Sequence, residues 1–152
     1  MSVQPRIYRS ESQIHHRGVY AAQDIPKGKK IVRYRGKLVP RTIGLRSESE
    51  YLYELNRKFY VLGQNIARYI NHSCDPNCES DIIRGEIWIQ SIRKIRKGEE
   101  LTYNYGFDLN ESLEYPCFCG AKQCAGFIID DTLRPKLRRH LKKQKRKKKT
   151  KQ

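Results

Sequence analysis

Three cysteines fall within eight residues near the C-terminal end of the chain, and no other feature restricts its folding as sharply. Cys117, Cys119 and Cys124 form a C-x-C-x4-C pattern inside Cys-Phe-Cys-Gly-Ala-Lys-Gln-Cys. Three thiolates held this close repel one another unless a soft cation sits between them, and zinc satisfies that need with four ligands in a closed tetrahedron. The segment must therefore wrap around a point and draw a fourth ligand from elsewhere. Cys74 and Cys78, some forty residues upstream, are the candidates. A disulfide framework is not expected, because the cysteine count is odd and no signal-peptide core follows Met1. No apolar run approaches the roughly 18–20 residues of a membrane span, so no membrane partner is expected.

Upstream of the cluster the apolar runs are short and the turn signals dense, which reads as a mostly β chain. Ile31 to Val39 alternates, with Val32, Tyr34 and Leu38 on one face and Arg33, Arg35 and Lys37 on the other, the period of a half-buried strand. Glu86 to Ile92 reads as a strand with apolar groups on both faces. Tyr51–Leu55 and Lys58–Leu62 read as short strands joined by a polar turn. A short helix fits between Pro40 and Glu50, and a helical turn fits Asn65 to Ile70. One phrase occurs twice: Ile25-Pro26-Lys27-Gly28-Lys29-Lys30-Ile31 is echoed by Ile95-Arg96-Lys97-Gly98-Glu99-Glu100-Leu101. Two copies do not make a repeat protein, but they indicate two similarly built strand–turn–strand units.

Asn71-His72-Ser73-Cys74 packs donors, acceptors and a metal ligand into four residues. Turn chemistry around Asp75-Pro76-Asn77 is its bland reading. The segment is followed by Glu99-Glu100-Leu101-Thr102-Tyr103-Asn104-Tyr105 and then by the cysteine cluster. In that order the three resemble the SET-domain protein-lysine methyltransferases with a post-SET zinc motif. Ile14-His15-His16-Arg17-Gly18-Val19-Tyr20 looks like the family's cofactor loop, Tyr34-Arg35-Gly36 like its early Y-x-G strand, and Asn65 to Ile70 like its N-x-A-R-F-I run.

The resemblance implies a SET fold of several small sheets with a knot-like crossing and a C-terminal zinc-bound loop. It divides the chain into a lead-in at 1–13, the SET domain at 14–109, the post-SET zinc region at 110–130 and a basic tail at 131–152. It also implies S-adenosylmethionine as methyl donor, contacted by His15, Arg17, Gly18, Tyr51, Asn71, His72 and Phe118, and one structural zinc on Cys74, Cys117, Cys119 and Cys124. Tyr105 matches the catalytic tyrosine. Tyr103 stands where a Tyr in place of Phe tends to hold the product at lower methylation states. Two residues depart from the pattern: His16 replaces the first glycine of the cofactor loop, and Asn104 replaces an Asp between the tyrosines. Cys78 has no role in it.

Charge completes the expectation. The formal net charge is +16, and the twelve Lys/Arg after Asp131, with no acid among them, leave +4 for everything before. From Leu137 onward such a tail could be helical, but its charge density favours a solvated, disordered arm when free, suited to nuclear import or to nucleic acid. The expected substrate is a histone or histone-like basic protein. The expected place is chromatin: the nucleus, a host nucleus for a secreted microbial product, or the nucleoid of a bacterium. The competing reading is a catalytically inactive SET-like module that binds chromatin or nucleic acid.

Overall fold

The computed structural model describes residues 3–150; Met1 and Ser2 of the lead-in and Lys151 and Gln152 of the tail lie outside the described residues. The chain divides into two compact units, one of residues 1–71 and 76–103, the other of residues 72–75 and 104–152. Strand β7 (Asn71–His72) and strand β10 (Thr102–Tyr103) mark where the chain passes between them.

The first unit is built from small antiparallel sheets. β1 (Ile7–Glu11) pairs with β2 (Arg17–Ala21), so part of the expected lead-in is a strand. β3 (Lys30–Tyr34), β8 (Cys78–Ile83) and β9 (Glu86–Ser91) form a sheet in the order β3-β9-β8. β4 (Gly36–Pro40), β5 (Leu52–Glu54) and β6 (Phe59–Gly63) form another in the order β4-β6-β5. α1 (Arg41–Gly44) and a 3-10 turn at Ile66–Tyr69 occupy the two expected helical positions. The core is branched aliphatic: Val19, Ile25, Ile31, Ile87, Ile89, Ile95 and Leu101 are all buried. Branched side chains suit a pleated, covered surface.

One expected strand proves to be two. Residues 31–39 break at Arg35 and enter different sheets as β3 and β4, and Leu38, expected inside with Val32 and Tyr34, is 55% exposed. The break has a steric cause. A Cβ at Gly36 would fall on the carbonyl oxygen of Leu62, so only glycine admits this approach, and the chain redirects there. A register shift between Lys30 and Val32 explains why the adjacent Ile31 and Val32 are both buried.

The second unit holds α2 (Leu109–Ser112), the cysteine-bearing loop and α3 (Arg134–Lys149). The Asp108 carboxylate accepts the Glu111 N–H and caps α2. The basic tail is helical here instead of a disordered arm. Pro135 opens α3, four cations in its last turn suit the negative end of the helix dipole, and Leu137 is 1% exposed. That single buried leucine, beside partly buried Leu133 and Leu141 on the same face, supplies the apolar contact that net charge conceals.

Candidate active site and metal centre

In the first unit the polar centre is the carboxylate of Glu100. Its Oε1 accepts from Ser12 Oγ at 2.8 Å and Asn71 Nδ2 at 2.9 Å, and its Oε2 lies 3.3 Å from Tyr20 Oη, which shares its proton with the Glu11 carbonyl at 2.7 Å. Burial, and then the neighbouring Glu100 charge, raise the Tyr20 hydroxyl above its ordinary range, so it stays a donor. Asn71 is 6% exposed, and its amide also reaches the carbonyls of Arg17 at 2.9 Å and His15 at 3.3 Å. One buried side chain thus fixes the backbone of the loop before β2. Gly18 completes the arrangement, since a Cβ there would collide with Glu100 Oε1. His16 sits in that loop at φ 35°, a left-handed conformation that favours glycine. Asn77, 3% exposed, donates to the Glu100 carbonyl and accepts the Thr102 N–H, which ties β10 in place.

In the second unit the Sγ atoms of Cys74, Cys117, Cys119 and Cys124 all lie within 4.8 Å of one another. Cys74 Sγ is 3.8 Å from that of Cys117 and 3.9 Å from that of Cys124. A tetrahedron with zinc–sulfur bonds of about 2.3 Å has edges of about 3.8 Å, so these four residues fit zinc. Burial pushes the Cys74 thiol up to about 11 and raises Cys117 further. At Cys119 burial is outweighed by N–H donors from Cys74 and Ala121, and the thiol falls to about 7. The upstream cysteine gathered into the cluster is Cys74. Cys78 lies in β8, away from the cluster, 1% exposed, and burial pushes its thiol up to about 12.

His72 joins this cluster to the tyrosine beside it. Burial, and then the Arg134 charge, bring its imidazole down to about 4, so it is neutral at pH 7. Its Nδ1 accepts the Tyr105 N–H at 3.1 Å, which assigns the proton to Nε2, 3.6 Å from Cys74 Sγ. The Tyr105 ring meets His72 edge to face at 5.5 Å between centroids, and Phe107 and Tyr115 continue the aromatic row. Arg134 Nη2 donates to the Cys74 carbonyl at 2.6 Å and pairs with Asp131 at 2.7 Å. Asn104 Nδ2 donates to the same Asp131 carboxylate at 2.9 Å, while its Oδ1 accepts the Gly106 N–H at 2.8 Å.

Residues 16–106 match the SET domain. The chain belongs to the SET domain family. It is 38% identical over 135 residues to the histone-lysine N-methyltransferase trr of Drosophila melanogaster, covering 78% of this chain and 6% of that protein. Against the human histone-lysine N-methyltransferase 2D it is 38% identical over 135 residues, with 78% of this chain and 2% of that protein covered. A Schizosaccharomyces pombe histone-lysine N-methyltransferase, H3 lysine-4 specific, is 35% identical over 139 residues, covering 81% and 15%. The chain thus spans a small fraction of the length of these relatives.

The expected site residues fall into both units. His15, Arg17, Gly18, Tyr51, Asn71 and Tyr103 lie in the first; His72, Tyr105, Phe118 and the four cysteines lie in the second. His15 and Arg17 are exposed while their carbonyls are held, so the loop is preformed with its side chains outward. Tyr51 lies under the Arg68 guanidinium, 4.5 Å from its ring centroid. Tyr103 is 6% exposed, its ring 6.5 Å from that of Tyr53. Phe118 is 70% exposed between Cys117 and Cys119. Sequence reasoning passed over Ser12, Asn77, Glu100 and Arg134. Glu100 had a signal, because its copy-mate in the echoed phrase is Lys30, and an acid replacing a cation beside a half-buried strand points to a local need for charge.

Proposed function

We propose that this SET domain transfers a methyl group from S-adenosylmethionine to lysine side chains of histones or histone-like, DNA-associated basic proteins. The reading rests on one observation above the others: the match over residues 16–106, with relatives that carry the name histone-lysine N-methyltransferase. Chromatin is accordingly its proposed place of action. Among the described residues no helix is long and apolar enough to cross a membrane.

When bound, S-adenosylmethionine supplies an electrophilic methyl group on a sulfonium. The loop of His15, Arg17 and Gly18, held by Asn71, would bind the donor together with Tyr51, His72 and Phe118. Because both His72 ring nitrogens are engaged, its share in that contact would fall to the backbone. A lysine amine must lose its proton to attack, and its ordinary pKa is about 10.4. Desolvation in an apolar channel would favour the neutral amine. The Tyr105 hydroxyl would orient the amine lone pair toward the methyl carbon. The Tyr103 hydroxyl would narrow the space beside the amine and hold the product at lower methylation states. Zinc on Cys74, Cys117, Cys119 and Cys124 would fasten the loop that carries Phe118. The SET domain proper would then run over 14–109 and the zinc region over 110–130, with nucleic acid a further partner of the basic residues from 131 onward.

Incubation of zinc-loaded protein with labelled donor and a panel of histones and bacterial basic proteins tests the reading. Label in lysine of at least one basic protein is the expected result, and mass spectrometry then counts the methyl groups. Donor binding without transfer to any member of the panel would instead favour an inactive chromatin-binding module.

A further inference from the structure

The echoed phrase is more than a resemblance between two turns. Its copies pair with each other: Ile25 N–H donates to the Ile95 carbonyl at 2.8 Å and Ile95 N–H donates to that of Ile25 at 2.9 Å. Both isoleucines are fully buried. From this pair each copy turns at a glycine in the left-handed region, Gly28 at φ 77° and Gly98 at φ 85°. Backbone bonds close the turns, from Gly28 N–H to the Ser91 carbonyl and from Gly98 N–H to that of Ala21, each 2.7 Å. The result is two stiff, similarly shaped turns flanking one buried contact.

Their outward side chains are mostly cations. Residues 23–30 and 93–99 carry Lys27, Lys29, Lys30, Arg93, Lys94, Arg96 and Lys97 against only Asp24 and Glu99. The two acids are already engaged, Asp24 with Lys94 at 3.3 Å and Glu99 with Arg93 at 2.7 Å. These fifteen residues hold a net +5, more than the +4 of the whole chain up to Asp131, so everything else in that stretch sums to −1. Charge in the body is therefore gathered at one place instead of spread for solubility. The approach is also open: nothing lies within 4 Å of where a Cβ would stand on Gly28 or Gly98.

We propose that the paired turns form a docking surface for the phosphate backbone of nucleic acid, separate from the basic residues after Asp131. A lipid surface fits less well, because none of the large exposed hydrophobic residues lies in either turn to enter a bilayer. Short convex turns carrying lysines suit a polyanion whose charges repeat along a strand, and contacts of this kind are blind to base sequence. The inference concerns binding alone and stands apart from methyl transfer, since its test uses no donor.

The full chain is titrated with a mixed-sequence duplex DNA across a salt series and read by fluorescence anisotropy. Lys27→Gln/Lys97→Gln removes two exposed charges that touch no core residue. It should weaken binding about ten-fold or more at low salt and lower the slope of log K against log salt by about 1.8, from about 0.9 per phosphate contact. Lys27→Glu/Lys97→Glu should weaken it further, and Lys58→Gln/Lys122→Gln should leave it unchanged. Thermal melting confirms that each variant is folded; if the reversed pair is not, the neutral pair decides. An unchanged slope in the neutral pair overturns the proposal. So does preference of the unaltered chain for phosphatidylserine vesicles or polyglutamate over the duplex.

Discussion

The Glu100 centre and the cysteine centre are both compact polar clusters, and they are closed in opposite ways. Around Glu100 the chain supplies the charge and its partners alike: a carboxylate, two hydroxyls and a buried amide, all in the first unit. Around Cys74, Cys117, Cys119 and Cys124 it supplies four acceptors and a few N–H donors, and burial works against ionising Cys74 and Cys117. The first cluster is complete as synthesised. The second offers four thiols spaced to fit zinc, and zinc bound there would link its stability to free metal. The comparison then sets a part of the fold that depends on sequence alone against one that would also depend on its surroundings.

The sharpest way to break this comparison is to take the metal away. Cys119→Ser, or a strong chelator, is expected to drop zinc from one per chain and to abolish the metal-dependent part of the melting transition. Structural zinc contributes apparent binding free energies of about 10–16 kcal/mol in small domains. Metal analysis together with calorimetry checks it, and a metal-free, fully active preparation would refute the zinc assignment.

The next largest effect lies beside the metal cluster but leaves it intact. Tyr105→Phe removes one hydroxyl and keeps the ring that packs on His72 and Phe107. Loss of a positioned donor costs about 2–4 kcal/mol of barrier, roughly a 30- to 800-fold fall in kcat. Melting and zinc content should not move. Steady-state kinetics on a histone peptide decides it, and full activity would place the catalytic role on another residue.

Asn71→Ala tests the self-contained cluster. It leaves the Glu100 carboxylate and the Arg17 carbonyl short of a donor in a buried setting, an expected cost of about 1–3 kcal/mol. Melting with and without zinc should give the same loss, because no metal ligand is touched. A cost that appears only in the zinc-loaded protein would erase the distinction between the centres.

Asn104→Asp is the finest probe. It sets a carboxylate against Asp131 where an amide now donates. The groups are partly solvated, so the cost should stay within about 0.2–1 kcal/mol and shrink as salt is raised. A stabilised variant in a salt-series melt would show that the family's usual Asp is tolerated here for another reason. The same contact gives Asn104 a role that a carboxylate would not fill, that of a donor to Asp131.

The cysteine cluster was legible in the sequence because its ligands are crowded along the chain and their chemistry admits few other arrangements. Spacing alone left Cys74 and Cys78 open, the family resemblance pointed to Cys74, and the structure gathers Cys74 with the other three while Cys78 lies in β8. The β character and the turns at Gly28 and Gly98 were readable from alternation and from the residues that turns require. The break at Gly36 was not, because its cause is the backbone of Leu62, twenty-six residues away. Nor was the order of α3, where one leucine among many cations outweighs the composition when a covering surface is present.

Local pattern thus determined the β character, several strands and turns, the family resemblance and the crowding of three cysteines, since each depends on residues close in the chain. Tertiary structure alone decided which groups surround Glu100, that Asn71 fixes the loop before β2, that His72 bridges Tyr105 and Cys74, and that the two echoed turns meet. Apart from the step from His72 to Cys74, these contacts span separations of about thirty to ninety residues. At such distances hydrogen bonds and charges leave no period in the sequence, and only the packed core brings their partners within reach.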